Sequence, residues 1–402
     1  MNIVIFTSAM VDKEFAKYQE EANIKPNPSN QNFYSKLIRA LSFKNTISVV
    51  SHRPFVKGMF DDNRLQRKET SDGLVKYFYT QLESSRSYKM FDEINEIIDA
   101  GEKAVKNFLN NNFVVIVDVL RINLVKAAIK FAHIHNVKII GMLTDNPTNL
   151  SNVRHSYIRN VFKNASRLDG YLSLSNGLLR AYKVSNKPNY VFEGLVDEVG
   201  PIRKQPIGNY YFFGGSLYER YGVKKLIHAF IDSNIPEKLV IAGNGPLREY
   251  IFQNNEKNSR ILYLSQLPKE KIYGLEQNAI ANINPRPFSK KLDEESVPSK
   301  LLEYFASGVP TISTIHTKLY EIFKNDAFWI EDDSQEGIRK ALNKFTMEDY
   351  EELKKRAITA RVKVYEIYGV KNQGERITYF LTALNSWLSS STNLRQVKLS
   401  SK

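Results

Sequence analysis

INPRPFSKKLDEESVPSKLLEYFASGVPTIS, residues 283–313, is the stretch from which the rest of the chain is read. It opens on a short apolar run and closes on another, PTIS at 310–313. Between them lie a charged loop and the segment 298–307. Pro298 stands where a helix begins, a position that proline favours. Leu301, Leu302 and Phe305 recur at helical spacing and predict a face packed on a sheet. The order is therefore strand, loop, helix, strand. At the helix start, Ser299, Lys300 and Leu301 offer backbone N–H groups, worth about half a positive charge. Lys300 adds a full charge and Ser299 a hydroxyl. Glu303 follows Ser299 by four residues and shares its helical face, where a carboxylate suits the paired hydroxyls of a diol. Glu295 lies eight residues before Glu303, in the preceding loop. An acidic loop (Asp293, Glu294, Glu295) ahead of an ordinary helix gives the same spacing, because acids near a helix start offset its dipole. Spacing alone leaves both readings open.

Outward from this stretch, strand and helix patterns alternate. Candidate strands are 2–7, 46–51, 75–79, 113–117, 138–142, 170–174 and 189–192, with helical patterns at 31–42, 88–109, 121–136 and 152–166. Strands spaced by helices imply parallel crossovers. Continuous apolar runs, as in FVVIV at 113–117, indicate burial on both faces. GPIRKQPIG breaks the pattern at 200–208 and makes 199–208 a linker. Alternation then resumes with strands at 209–213, 238–242, 261–264, 280–284 and 310–313 and helices at 222–232, 246–254, 269–277 and 298–307. The fold class is α/β, with two tandem Rossmann-like doubly wound domains. Domain 1–198 is followed by the linker, by domain 209–372, and by a C-terminal helix at 373–402 that packs back on the first domain. Such sheets bind ligands at the carboxyl ends of their strands, so functional residues belong in strand-to-helix loops.

Among the 402 residues there is no cysteine, which excludes disulfides, thiolate nucleophiles and cysteine–zinc sites. Basic residues number 57 against 43 acidic, a net charge of +14. That surplus suits an anionic partner, or simply a solvated lysine-rich surface. It concentrates in 121–190, where eleven basic residues face only Asp145 and Asp169. No run reaches the eighteen or so apolar residues that a membrane span needs. The opening MNIVIFTSAM reads as a strand, not a signal peptide. The expected location is the cytoplasm, with a peripheral seat on the inner face of the membrane. His133 and His135, two apart on a helix, point in different directions, and no convincing metal cluster emerges.

The string from Glu295 through Glu303 to Ser307-Gly308 and Pro310 resembles the signature of retaining glycosyltransferases of family 4, which have the GT-B fold with an interdomain cleft. LVIAGNGPLREYI (239–251), FFGGSLYERYGVKKLIHAF (212–230), ILYLSQLPKEKI (261–272) and DGYLSLSNGLLRAY (169–182) resemble other segments of the family. The likeness covers most of 169–330, and residues 1–168 in outline. It implies a nucleotide-sugar donor, a UDP-sugar first, bound by the second domain with no metal and no separate cofactor. Glu303 would hold the ribose hydroxyls and Glu295 those of the donor sugar. Ser299, Lys300 and the amides at Gly214 and Gly215 would hold the diphosphate. Ser216, Leu301 and Gln266, the last in the loop 265–267 beside the base, complete the donor set. Glu295, Lys300, Arg220 and Asp145 are the candidate catalytic residues.

The chain departs from the family pattern in several places. Basic positions of the family hold Ser216 and Tyr221, and Arg220 is the candidate replacement. The loop 8–31 is long and polar where the family carries paired glycines. GMLTDNP at 141–147 holds Asp145 where many members have a histidine. Asp145 is either a polar contact to the transferred sugar or an Asx-turn residue before Pro147. Helix 152–166, extended to Arg167, sets Arg159, Lys163 and Arg167 on one face, with Ile158, Val161 and Phe162 on an apolar side. It suits an anionic membrane, or a surface helix packed on the sheet. The acceptor implied is a glycan, lipid-linked, as in capsule or O-antigen assembly. A non-catalytic partner of the same fold is the alternative. Nucleic acid is not an expected partner, for want of a recognition helix or stacking motif.

Overall fold

The computed structural model describes the chain except residues 63, 84–89, 107, 109–111, 151–152, 203–206, 316 and 400–402, and except the side chains of 291, 292, 317 and 386–399. The chain divides into two compact units. Met1–Leu195, Glu294–Ser296 and Val370–Lys402 form the first; Val196–Asp293 and Val297–Gly369 form the second.

Among the described residues the first unit holds ten strands: β1 (Asn2–Thr7), β2 (Thr46–Ser51), β3 (Arg64–Leu65), β4 (Lys68–Asp72), β5 (Val75–Tyr79), β6 (Leu82–Glu83), β7 (Phe113–Asp118), β8 (Lys138–Leu143), β9 (Gly170–Ser173) and β10 (Asn189–Val191). Eight of them make one sheet, ordered β10-β9-β8-β7-β1-β2-β5-β4, while β3 and β6 pair as a ribbon. All its pairs are parallel except β4 with β5. The apolar runs are buried on both faces. Ile3, Ile5, Val49, Ile116 and Met142 face one core, and Val4, Phe6, Val50, Val115 and Val117 the other. The stretch expected as a polar loop at 8–31 instead holds helix Asp12–Glu21, with Phe15 and Tyr18 buried, and Pro28 begins the next helix. Helix Val370–Leu399 belongs to this unit: Ile377, Leu381 and Leu384 join its core, and Gly374 lies against the Ala40 carbonyl.

The second unit holds β11 (Tyr210–Gly214), β12 (Lys238–Ala242), β13 (Ile261–Tyr263), β14 (Ala281–Asn284), β15 (Thr311–Thr314) and β16 (Phe328–Ile330). They form one all-parallel sheet, ordered β13-β12-β11-β14-β15-β16. Tyr211 and Phe213 face one core while Tyr210 and Phe212 face the other. Residues 203–206 of the expected linker lie outside the described residues. Its start is held within this unit, since Ile202 N donates to Gln277 Oε1 (2.8 Å) and Gln277 Nε2 donates to the Gly200 carbonyl (3.0 Å). No helix among the described residues is long and apolar enough to cross a membrane.

Candidate functional site

In the second unit, three loops converge at the carboxyl end of the sheet. The first follows β11 through Gly215 and Ser216 to a 3-10 turn, Glu219–Tyr221, and helix Val223–Ile231. The second, Gly243–Leu247, lies directly on it. Gly215 N donates to Ala242 O, Leu217 N to Asn244 O and Leu247 N to Leu217 O, each at 3.0 Å. Gly243 permits this approach: its φ is +145°, and a Cβ there would fall 1.8 Å from the Gly215 carbonyl oxygen. The third leads into helix Ser299–Ser307, which Gly308 ends in the left-handed conformation.

Leu301, Leu302 and Phe305 seat that helix in the core. Among the described residues no side chain caps its start, and first-turn amides such as those of Ser299 and Lys300 have no acceptor within a helix. Ser299 is exposed. Leu301 is a correction: its side chain is fully buried, and its N–H donates to Pro298 O at 2.9 Å, which leaves it nothing to give a ligand.

Lys300 and Glu303 meet. Lys300 Nζ is 2.7 Å from Glu303 Oε2 and 3.7 Å from Glu276 Oε1. Glu276 comes from helix Lys269–Gln277 and is 1% exposed, against 13% for Glu303 and 38% for Lys300. Burial alone would lower the lysine pKa, but the two carboxylates outweigh it and hold the ammonium above its ordinary range. A Cβ on Gly215 would lie 3.9 Å from Lys300 Cγ, so the glycine turn and the lysine are neighbours.

The glycine amides are not available as expected. Gly214 N donates to Tyr304 Oη (2.9 Å), which in turn donates to Gly214 O (3.2 Å), and Gly215 N is taken by Ala242. Sequence reasoning did not single out Tyr304. Its fully buried hydroxyl needs a partner, and the strand end supplies one. Ser216 is exposed, with its carbonyl accepting from Tyr218 N. Arg220 is exposed and lies over the rings of Tyr218 and Tyr221, 5.0 and 5.1 Å from their centroids. Gln266 is exposed in the loop after β13, next to Ser265, whose carbonyl accepts from Gly243 N.

The remaining two candidates belong to the first unit. Glu295, read from sequence as a loop residue, ends a short helix, Lys290–Glu295. Its Oε2 accepts from Asn146 Nδ2 (3.2 Å) and Asn149 Nδ2 (2.7 Å), partners that the sequence did not single out. Asp145 is exposed and follows β8, and its side chain bonds to that of Thr144. The Asx turn before Pro147 is made by Asn146, whose Oδ1 accepts from Thr148 N (3.0 Å). The basic helix runs His155–Ala165. Val161 and Ala165 are buried in the core, and Phe162 meets Tyr182 edge-on at 5.0 Å. Its apolar side is thus spent inside the fold, while Arg159, Lys163 and Arg167 stay exposed.

Residues 201–363 match the family Glycosyl transferases group 1. The matched residues hold the second of two Rossmann-like sheets: the fold is GT-B and the protein is a glycosyltransferase. Sucrose-phosphate synthase from Thermosynechococcus elongatus has a similar structure, with TM-score 0.62 at 12% identity over 100% of both chains. Anabaena HepE, solved with UDP-glucose, has TM-score 0.58 at 11% identity over 95% of this chain and 100% of its own. The lipopolysaccharide outer core galactosyltransferase WaaB has TM-score 0.58 at 13% identity over 95% of this chain and 99% of its own. No curated protein matches in sequence.

Proposed function

We propose that this protein is a retaining glycosyltransferase of family 4, moving a sugar from a UDP-sugar to a hydroxyl of a lipid-linked glycan in cell-surface polysaccharide assembly. The observation that carries the donor site is the uncapped start of helix Ser299–Ser307 with Lys300 and Glu303 paired upon it. A diphosphate oxygen accepts from the amides of Ser299 and Lys300 and competes for Lys300. Glu303, released from that pair, takes the ribose hydroxyls. HepE, solved with UDP-glucose, supports the choice of nucleotide. Catalysis is positioning plus stabilisation of charge on the departing diphosphate. The phosphate oxygen takes the acceptor proton on the same face of the sugar, which gives retention. The helix start and the basic side chains neutralise the leaving group without a metal.

The test is a calorimetric panel of nucleotide-sugars and inorganic pyrophosphate on wild type and Glu303→Ala. Loss of the ribose contacts should weaken the preferred UDP-sugar about tenfold to a hundredfold, as expected for hydrogen bonds to a charged group. Pyrophosphate binding should survive. A variant that binds the nucleotide-sugar as wild type does removes Glu303 from the site.

For the acceptor, the exposed row Arg159, Lys163 and Arg167 supports a cytoplasmic protein resting on the inner leaflet by charge, without insertion of the helix. WaaB, named for lipopolysaccharide, is consistent with a lipid-linked acceptor. Sedimentation with vesicles rich in anionic lipid should be strong at low salt and lost near physiological salt. Replacing the three residues with Gln should abolish it. Equal sedimentation of variant and wild type would refute the membrane seat.

A further inference from the structure

Given the donor site proposed above, on which this inference rests, we infer that Arg286 is a diphosphate ligand, presenting the Nε–Nη2 edge of its guanidinium to an oxyanion. The position comes from the sheet. β11 and β14 pair in parallel, with Tyr211 opposite Ala281 and Phe212 opposite Asn282. β14 ends at Asn284, two residues before Arg286, while β11 beside it ends at Gly214 and leads into Gly215, the neighbour of Lys300. The turn Glu219–Gly222 lies against the same segment: Gly222 has φ +77°, and a Cβ there would fall 2.0 Å from the Pro285 carbonyl oxygen.

The chemistry comes from hydrogen bonding. Arg286 is only 7% exposed, yet neither Nε nor Nη2 has a hydrogen-bond partner among the described residues. Asp293 Oδ1 stands 3.8 Å from Nη2, which balances charge but is too far for a hydrogen bond. Buried cations in folded proteins rarely leave N–H groups unmade, because the desolvation penalty is then unrecovered. The two unmade donors share one edge of the fork, the geometry that takes two oxygens of a carboxylate or phosphate. Burial lowers the Arg286 pKa, opposed by Asp293 and by Tyr221, while nearby Arg220 lowers it further. An incoming anion relieves both the burial and the repulsion.

The site also needs this charge. Lys300 is shared between Glu303 and Glu276, so these three side chains sum to a negative charge before any diphosphate arrives. The Gly214 and Gly215 amides are spent within the fold. Of the groups at this end of the sheet, Arg286 combines full charge, burial and an unmade bidentate edge.

The experiment titrates UDP, ADP and GDP, and then the nucleoside of the tightest, into wild type, Arg286→Gln and Arg286→Lys. The expected result is a loss of about tenfold to a hundredfold in nucleoside diphosphate affinity for Arg286→Gln, the range for a charge-assisted bidentate pair. Nucleoside affinity is unchanged, which also reports an intact fold, and Arg286→Lys recovers part of the loss. Diphosphate and nucleoside affinities that both match wild type overturn the role of Arg286 and leave the donor site standing. No nucleoside diphosphate binding by wild type overturns the donor site itself.

Discussion

Lys300→Ala should lower turnover by about a hundredfold or more, the usual loss when one charge-stabilising donor leaves a transition state, while weakening donor affinity less. That inequality follows from the leaving group. Negative charge on the diphosphate grows as the sugar departs, so an ammonium facing it contributes more at the transition state than in the bound donor. Equal losses in both would mean uniform binding and would remove Lys300 from the chemistry. The same substitution has a second, separable consequence. It takes away a cation 3.7 Å from Glu276 Oε1, and that carboxylate is 1% exposed. Breaking a fully buried pair costs about 3–5 kcal/mol, and the partial exposure of Lys300 brings the expectation down to about 1–3 kcal/mol.

In wild type the carboxylates of Glu303 and Glu276 outweigh burial and hold the Lys300 ammonium above its ordinary range. A group whose pKa is raised by folding contributes stability that is fully present below its unfolded value and lost as pH rises through the folded one. The melting advantage of wild type over the variant should therefore hold across neutral pH and shrink only above about pH 10.4, the ordinary lysine value. Adding Glu276→Gln to the variant should recover stability without restoring turnover. Restored turnover would show that the alanine variant was merely unfolded.

Gly243→Ala should damage fold and site together. An L residue at φ +145° is strained by about 1–3 kcal/mol, and its Cβ would fall 1.8 Å from the Gly215 carbonyl oxygen. The loop after β11 must give way, because the obstacle is backbone and not a side-chain tip. A loss of about 3 kcal/mol corresponds to a melting temperature roughly 6–12 °C lower for a unit of this size. Nucleotide affinity should fall with it, since Gly215 is the neighbour of Lys300. Gly73→Ala is the control: its φ is +55°, but nothing lies within 4 Å of the added Cβ, so only about 1–2 kcal/mol of backbone strain is expected. Equal melting of the two variants would show that the close approach of the two loops carries no weight.

The alternation of strand and helix was legible because parallel strands are buried on both faces and so read as unbroken apolar runs, as at 113–117. Edge strands lack that signal. β4 reads KETSD, exposed along most of its length, and is held by its antiparallel register with β5. β16 is three residues long. Helix Asp12–Glu21 hides in a polar stretch because Phe15 and Tyr18 alone mark its buried face. At the candidate site, the placement of Ser299, Lys300 and Glu303 in the first turns of one helix was legible from local spacing. The use of each donor was not, because Gly214 with Tyr304, Lys300 with Glu276 and Glu295 with Asn149 are pairings between residues far apart in the chain. Arg286 gave no signal for the same reason: an arginine between two prolines in a loop looks solvated until burial and hydrogen bonds are known.

The helix Val370–Leu399 bears on how the chain is made. Val370, Ile377, Leu381 and Leu384 complete a core whose other buried members end at Leu195 and were synthesised before all of the second unit's long segments. On the ribosome, the first sheet waits with an apolar groove uncovered while all of Val196–Gly369 is translated, a period in which chaperones and aggregation compete for it. Fragment 1–195 produced by itself should precipitate, and a peptide spanning 370–402 supplied alongside should rescue its solubility.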